Sequence, residues 1–384
     1  MTVLRSPRTA AVVLLLAAVA AVILANSSAG SALLAVKGTE LAVPGLVHAL
    51  SVGEVISSGL LAVFFFLVAI ELRHELTHGE LRSPHVLTVP LLAALGGVVV
   101  PAVIYLVVVH DSELLGGWPI PTATDVAFAL GVLALLGRGL PRRVRALLLA
   151  LAIIDDLMAI ILIAVVFTKH IDLLPLLGAV PVVALFGILS RLRPNRLPLR
   201  LAVRMMMVAV AVAAWVFVEN SGVHATIAAV ALGLVMRAAP AARAQHVLDP
   251  VSNLVVLPLF AFSAALVVIP TAGLTALGPV FWGIAIALPL GKLVGITLGG
   301  LLGSRLQPRS VSHTAPPLRE LVVVAALGGI GFTVSLLMNQ LAFSSPNEIT
   351  QGTLGVLAGS MVAIVLGGTV TALVARRAHL RSER

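Results

Sequence analysis

Three carboxylates and one ammonium lie inside long apolar stretches of this chain: Asp125, Asp155, Asp156 and Lys292. Between Leu147 and Phe167, the adjacent pair Asp155 and Asp156 are the only polar residues. An ionisable side chain at bilayer depth is costly, and such residues usually mark ion or proton pathways. These four residues therefore predict a site for a cation, a proton, or both in competition.

Hard cations prefer oxygen ligands, so carboxylates, threonine hydroxyls and unwound backbone carbonyls suit them. Neighbouring residues on a helix point about 100° apart, so Asp155 and Asp156 cannot face one point equally. We expect one to line a cation cavity while the other meets a different neighbour. A purely structural ion pair with Lys292 is the alternative, and it would leave two of the acids without a role.

The composition indicates a membrane protein. Hydrophobic residues make up 60% of the 384 residues and charged residues 11%, and the mean hydropathy is +1.13. These values lie outside the range of soluble globular domains. Cysteine is absent, which excludes disulfides and thiolate metal sites. The formal charge of +9 does not indicate nucleic-acid binding, because the basic residues lie between the apolar stretches.

A transmembrane helix needs about 20 apolar residues, and the chain has room for about twelve. The predicted fold is an all-α polytopic membrane protein forming a single transmembrane transporter domain over residues 1–384. We place the spans near 10–27, 53–72, 86–109, 122–137, 144–168, 173–190, 202–219, 222–238, 251–270, 279–303, 320–342 and 353–375.

The basic residues predict the orientation of these spans. All but three of the 25 Lys and Arg residues fall at the termini or in every second connection, the exceptions being Lys37, Lys169 and Lys292. Basic loops stay on the cytoplasmic side. We therefore expect both termini in the cytoplasm of a bacterial-type plasma membrane, with the first segment kept as a span and not cleaved as a signal peptide.

Two spans have sequences that interrupt a helix. Span 4 follows Trp118-Pro119-Ile120-Pro121 and carries Thr124 and Asp125 near its start, while span 11 contains the glycine-rich run 328–331. If spans 3–5 and 10–12 are an inverted-topology repeat pair, each interruption lies in the middle span of its triplet. Broken helices that cross near the bilayer midplane leave helix ends free to face an ion, as transporter sites require.

Seven stretches, in this order, resemble the NhaA-type sodium/proton antiporter family over nearly the whole chain. They are AVFFFLVAIELRHEL (62–76), PTATDVAFALGVLALLG (121–137), ALAIIDDLMAI (150–160), SGVHAT (221–226), LPLFAF (257–262), GKLVGI (291–296) and GGIGFT (328–333). The family is itself an example of inverted repeats.

The resemblance implies a secondary active antiporter that extrudes cytoplasmic Na⁺ or Li⁺ in exchange for inward H⁺. It assigns cation binding to Asp156 and pairs Asp155 with Lys292, with Thr124 and Asp125 as supporting residues at the broken span 4. Lys292 is either a structural counter-ion or a proton carrier that loses its proton when sodium enters. Asp125 either compensates the partial charges of the two broken helices or is attracted by Lys292.

The resemblance also implies a pH response at the cytoplasmic end of span 2, at His224 and near residue 245. The candidates are Glu71, His74, Glu75, His224, Gln245 and His246. An ordinary charged helix end explains the first three equally well, and a hydrogen-bonded packing role explains His224. The sequence departs from the family at His74 and Gln245, where an arginine and a glutamate are expected, and a neutral amide cannot titrate.

The expected partners are Na⁺, Li⁺, H⁺ and the lipid bilayer, without nucleic acid and without a cofactor. The family often forms homodimers through a hairpin before span 2, and here the segment 31–53 is weakly strand-like, which weakens that expectation. Two alternatives come from other classes. A transporter of an organic anion would need more basic groups than Lys292, and an intramembrane aspartyl protease would need a Gly-x-Gly-Asp element, which is absent. We therefore expect no enzymatic activity.

Overall fold

The computed structural model describes residues 7–78, 84–168, 171–270, 277–307 and 315–382. Several of the charged residues used to predict orientation lie outside these ranges: Arg5, Arg82, Lys169, Arg309 and Arg384. Within them the structure is almost entirely helical. One small antiparallel hairpin pairs strand β1 (Glu40–Leu41) with β2 (Leu50–Ser51), in the segment that the sequence marked as weakly strand-like.

The first half of the described chain contains seven α-helices and three irregular helical turns. They are α1 (Pro7–Ala25), α2 (Gly30–Gly38), α3 (Val52–Glu54), a π-helical turn (Val55–Leu60), α4 (Leu61–His78), α5 (Pro84–Val108), two 3₁₀ turns (Leu115–Gly117 and Ile120–Thr122), α6 (Val126–Leu136) and α7 (Arg142–Val166).

The second half contains ten α-helices and two π-helical turns. They are α8 (Leu173–Leu189), α9 (Leu197–Asn220), α10 (Thr226–Val235), α11 (Ala238–Val251), a π turn (Ser252–Val256), α12 (Leu257–Ala264), α13 (Pro279–Ile286), a π turn (Ala287–Gly291), α14 (Lys292–Leu306), α15 (Leu318–Gly328), α16 (Phe332–Ala342) and α17 (Pro346–Ser382).

Most of these helices are suited to a bilayer. Within the described ranges, nine helical segments are long and apolar enough to cross a membrane, or ten if α15 and α16 form one span. Two further apolar helices, α8 and α10, are shorter, with 17 and 10 residues. The prediction of an all-helical, multi-pass membrane protein is confirmed at this level, and the count of twelve spans stays a prediction.

The chain forms two compact units, each built from separate stretches of sequence. Unit 1 contains Met1–Gly30, Gly79–Ala159 and Ala264–Arg384, and unit 2 contains Ser31–His78 and Ile160–Ser263. The core of unit 2 packs apolar side chains of α4 and α8–α10 around Phe186, Ala214 and Leu232. In that core the rings of Phe66 and Phe186 meet edge to face, with centroids 6.3 Å apart.

In unit 1, α14 packs along α5 through glycines. Gly295 and Gly299 present no side chain to α5, so that a Cβ atom at either position would strike the carbonyl oxygen of Gly96 or of Leu92. Small residues four apart let two membrane helices approach backbone to backbone. This contact fixes the start of α14, where Lys292 immediately follows the π turn Ala287–Gly291.

Unit 1 also contains two breaks in helical structure. Before α6, a 3₁₀ turn ends at Thr122 and Ala123 is extended, with φ −83° and ψ 153°. Between α15 and α16, residues 329–331 separate two helices whose axes differ by 49°. Pro119 and Pro121 explain the first break, since proline lacks an N–H for the helix, and three glycines in four residues explain the second.

Candidate cation and proton site

The centre of the candidate site is an ion pair buried in unit 1. Lys292 on α14 and Asp155 on α7 are 0% and 3% exposed. The Nζ of Lys292 lies 3.0 Å from both Oδ1 and Oδ2 of Asp155. An isolated charge at this depth is costly, and this contact gives each group a partner of opposite formal charge. The pairing that the resemblance implied is therefore present.

The third hydrogen-bond acceptor of Lys292 is Thr124. Its Oγ1 lies 3.0 Å from Lys292 Nζ and donates in turn to the carbonyl oxygen of Gly328, 2.8 Å away. Gly328 is the last residue of α15, so its carbonyl is one that the helix itself leaves unpaired. The ammonium group thus acts through Thr124 on the C-terminal end of a broken helix, where a positive charge is favourable.

The carboxylate of Asp125 accepts hydrogen bonds from the N-terminal ends of two helices. Its Oδ1 accepts from the backbone N–H of Phe128 at 2.9 Å, which makes it the N-cap of α6. Its Oδ2 accepts from both the backbone N–H and the hydroxyl of Thr333, at 3.2 Å and 2.6 Å, near the start of α16. Among hydrogen bonds and ion pairs of the described residues, Asp125 has none with Lys292. The geometry therefore matches the compensating role and not attraction by the lysine.

Asp156 is buried beside this network, with 6% of its surface exposed. It follows Asp155 on α7, so its side chain leaves the helix about 100° away, yet it is near enough to Lys292 to interact with it electrostatically. The structure thus brings together five of the predicted residues in unit 1: Thr124, Asp125, Asp155, Asp156 and Lys292.

Sequence analysis missed two residues that complete the break between α15 and α16. Thr333 lies within a stretch that the analysis singled out, but it was not assigned to the site. Ser360 on α17 was not singled out at all, and its Oγ accepts from the N–H of Phe332, the first residue of α16, at 3.1 Å. A buried serine in the middle of an apolar span was the only signal that the sequence offered.

The six residues assigned to pH response all lie in unit 2. Glu71 interacts electrostatically with His74 and Glu75 on its own helix and with Asp249 on α11. Gln245 and His246 are on α11, where Gln245 is half-buried and His246 exposed. The Nδ1 of His224 lies 2.8 Å from Thr226 Oγ1, a contact that the packing alternative predicts. Their part in pH response stays a prediction.

Residues 1–371 match the family described as Na⁺/H⁺ antiporter 1. The chain belongs to this family. The match covers both units and every residue of the site above, and the resemblance inferred from the seven stretches is confirmed. Because the family is one of transporters, enzymatic chemistry is not expected of the buried carboxylates.

Named relatives agree over most of their length. The chain is 53% identical to the Na⁺/H⁺ antiporter NhaA 2 of Clavibacter michiganensis subsp. michiganensis over 380 residues, covering 98% of this chain and 93% of the relative. It is 46% identical to NhaA of Tropheryma whipplei (strain Twist), covering 82% and 80%. It is 42% identical to NhaA of Thermobifida fusca, covering 94% and 90%.

Proposed function

We propose that this sodium/proton antiporter extrudes cytoplasmic Na⁺, and also Li⁺, in exchange for inward H⁺, because cation and proton compete for Asp155 and Asp156. The observation that carries the proposal is the buried ion pair, in which Lys292 donates to both oxygens of Asp155 and to Thr124. A cation that binds those oxygens competes with the ammonium group for them.

Lys292 couples the two ions in this proposal. When sodium enters beside Asp156 and takes an oxygen of Asp155, the ammonium group loses its counter-ion. A lysine without a partner in a low-dielectric interior loses its proton, and that proton is released. When sodium leaves, Lys292 is protonated again and the pair with Asp155 reforms. A merely structural Lys292 would keep its proton throughout the cycle.

The same geometry argues against the two rival functions. A carrier of organic anions needs a cationic group that can bind a carboxylate, but the ammonium group of Lys292 is fully buried and already paired with Asp155. An aspartyl protease needs two carboxylates that share a proton. Both oxygens of Asp125 instead accept hydrogen bonds from helix N-termini.

The finer architecture belongs to the same proposal. The two broken helices are spans 4 and 11 and cross near the bilayer midplane, and spans 3–5 and 10–12 are an inverted repeat. The close packing of α5 against α14, the first helices of the two triplets, supports this arrangement. Alternating access then follows from rocking of the repeats around the site.

The proposed setting is a bacterial-type plasma membrane, with twelve spans and both termini in the cytoplasm. The proton gradient supplies the energy, so no cofactor takes part. The short hairpin of β1 and β2 is the segment through which a homodimer would form. Glu71, His74, Glu75, His224, Gln245 and His246 adjust the pH response, but the competition at the aspartates does not depend on them.

Proton flux in proteoliposomes tests the function. Liposomes that contain the purified protein are loaded with acid, and Na⁺, Li⁺, K⁺ or an organic carboxylate is added outside. We expect Na⁺ and Li⁺ to drive proton efflux, and K⁺ and the carboxylate to have no effect. Proton movement driven by the carboxylate, or none driven by Na⁺, would contradict the proposal.

A further inference from the structure

A second group of buried polar side chains lies within unit 1, on α16 and α17. Ser335 and Asn339 are both 0% exposed, and Thr353 is 3% exposed. Asn339 Nδ2 donates to the carbonyl oxygen of Ile349 at 2.8 Å and to Thr353 Oγ1 at 3.1 Å. None of these residues contributes to the ion pair, to the helix caps or to the cation site.

Two oxygens of this group have no hydrogen-bond partner among the described protein atoms: Ser335 Oγ and Asn339 Oδ1. The amide orientation of Asn339 is not interchangeable, because the reverse orientation would place Oδ1 against the carbonyl oxygen of Ile349. An amide oxygen can only accept a hydrogen bond. Leaving such groups unsatisfied in a buried place is costly, and internal water is the usual donor that satisfies them.

Ser335 and Asn339 follow one another along the axis of α16. Ser335 and Asn339 are four residues apart, so they share one face of α16 and are separated by a rise of about 6 Å, close to two hydrogen bonds in length. One water molecule can therefore bridge them. Because the oxygens follow one another along the helix, successive waters suit them better than a single cation, which needs several ligands around one point.

Ser335, Asn339 and Thr353 form a polar stripe, which extends from the helix breaks of the site to the loop after α16. At one end, Ser335 Oγ lies where a Cβ atom of Gly331 would be. That Cβ position is 3.1 Å from the carbonyl oxygen of Ala123. Both helix breaks of the site thus meet there. At the other end, Asn339 bonds Ile349 and Thr353, near the loop that joins α16 to α17.

We propose that Ser335, Asn339 and Thr353 bind a chain of internal water molecules that conducts protons between the helix breaks and the loop end of α16. The inference rests on the proposed antiport, since it supplies a route for the exchanged proton. Hydroxyl groups and water both donate and accept hydrogen bonds, so a proton can pass along the chain while the amide oxygen of Asn339 holds the waters in place.

Cysteine accessibility tests whether the stripe is hydrated. The chain has no cysteine, so a single introduced thiol is the only one present. Asn339→Cys and Thr353→Cys are compared with Leu337→Cys, an equally buried apolar position on α16. The probe is 2-aminoethyl methanethiosulfonate on protein in membranes. A thiol must ionise to react, so we expect the two stripe variants to react about tenfold faster or more. Equal rates at all three positions would overturn the proposal.

A transport measurement tests whether protons use the route. Asn339→Leu/Thr353→Val replaces the stripe by apolar groups of similar size. Thr369→Val is the control, because Thr369 is an exposed α17 threonine whose hydroxyl donates to the carbonyl oxygen of Val365. We expect the double variant to lower the maximal exchange rate about tenfold, as loss of a hydrogen bond in a rate-limiting step would, with the KM for Na⁺ unchanged. Normal exchange in that variant would overturn the route even if the thiols react.

The two measurements separate failure of this inference from failure of the proposed antiport. Thiol reactivity depends on water in the stripe and not on transport, so it is informative even if the wild-type protein exchanges no sodium. If the wild-type protein exchanges sodium normally while the stripe thiols are inert, only the water chain is wrong.

Discussion

Lys292 has three N–H groups, and three protein oxygens lie 3.0 Å from its Nζ. These contacts give the site a defined resting state, in which Asp155 and Thr124 both bind the ammonium group. They also define the cost of cation entry, since an ammonium group that gives up Asp155 must find another partner or lose its proton. At the scale of single residues, antiport therefore depends on competition between Lys292 and the cation for Asp155 and Asp156.

Asp156→Asn is expected to abolish sodium-driven proton exchange while the protein stays folded. The amide keeps the shape of the side chain but removes its charge and its titration. Asp172→Asn is the matched control, because Asp172 is an exposed N-cap of α8 and asparagine caps helices about as well as aspartate. Proton flux in proteoliposomes measures both. Exchange at the wild-type rate in Asp156→Asn would show that cation binding lies elsewhere.

Removing one member of the buried ion pair is expected to destabilise the protein more than removing both. Breaking a buried pair costs about 3–5 kcal/mol in a soluble interior, because it leaves one charge uncompensated. Lys292→Ala and Asp155→Asn should each lower the apparent melting temperature in detergent, and the double variant should recover part of the loss. Strictly additive losses would mean that the pair does not stabilise the fold.

At the scale of elements, the site depends on where helices stop. The C-terminal end of α15 meets Thr124, and the N-terminal end of α16 meets Asp125 and Ser360. Three backbone groups at this break, the carbonyl of Gly328 and the N–H groups of Phe332 and Thr333, thus have partners from other segments. The partners come from α17 and from the stretch before α6, which explains how an unwound segment is stable in an apolar setting.

The glycine contact between α5 and α14 is expected to be essential for the position of Lys292. In Gly295→Ala the new methyl group would strike the backbone of Gly96, so the helices must separate and the stability and the exchange rate should both fall. Gly59→Ala is the control, since a Cβ there meets only a side-chain atom of Val55 at 3.9 Å, and alanine is the better helix former. Melting temperature and flux are measured together. A neutral Gly295→Ala would mean that α5 and α14 tolerate separation.

Sequence alone predicted the charged residues, the elements that carry them and the pairing of Asp155 with Lys292, but not the hydrogen bonds that complete the helix breaks. Asp155 and Lys292 stood out because a charge in an apolar run is costly, and the break at 328–331 stood out because glycine disfavours helix. Ser360 could not be identified, because a serine in a membrane helix often bonds its own backbone. Its use as a cap for α16 depends on how α17 packs, which no local pattern encodes.

At the scale of the whole molecule, the division into two units could not be read from the sequence, because each unit collects distant stretches. Unit 1 joins helices before residue 160 with those after residue 263, and unit 2 contains the stretches between and α4. The aspartates and Lys292 belong to unit 1, and every residue assigned to pH response belongs to unit 2. This separation makes the origin of pH dependence a question that mutation can answer.

Gln245→Glu is expected to move the pH midpoint of exchange only slightly. If proton and sodium competition at Asp155 and Asp156 sets the midpoint, a new acid on α11 has little influence. If a sensor formed by α4 and α11 dominates, the added carboxylate near Glu71 and Asp249 should shift the midpoint strongly. Exchange is measured against pH for both proteins at several sodium concentrations. A midpoint that is insensitive to sodium but displaced by Gln245→Glu would favour the sensor.

The most direct test of competition is proton release on sodium binding, measured in a weakly buffered solution of the purified wild-type protein across a pH series. Carboxylate ligands must be deprotonated to bind a cation, so the apparent affinity for sodium should rise about tenfold per pH unit until the site is deprotonated. Each addition of Na⁺ should acidify the solution in that range, and Asp156→Asn should release no protons. Sodium binding that is equally tight at every pH and releases no protons would contradict the account.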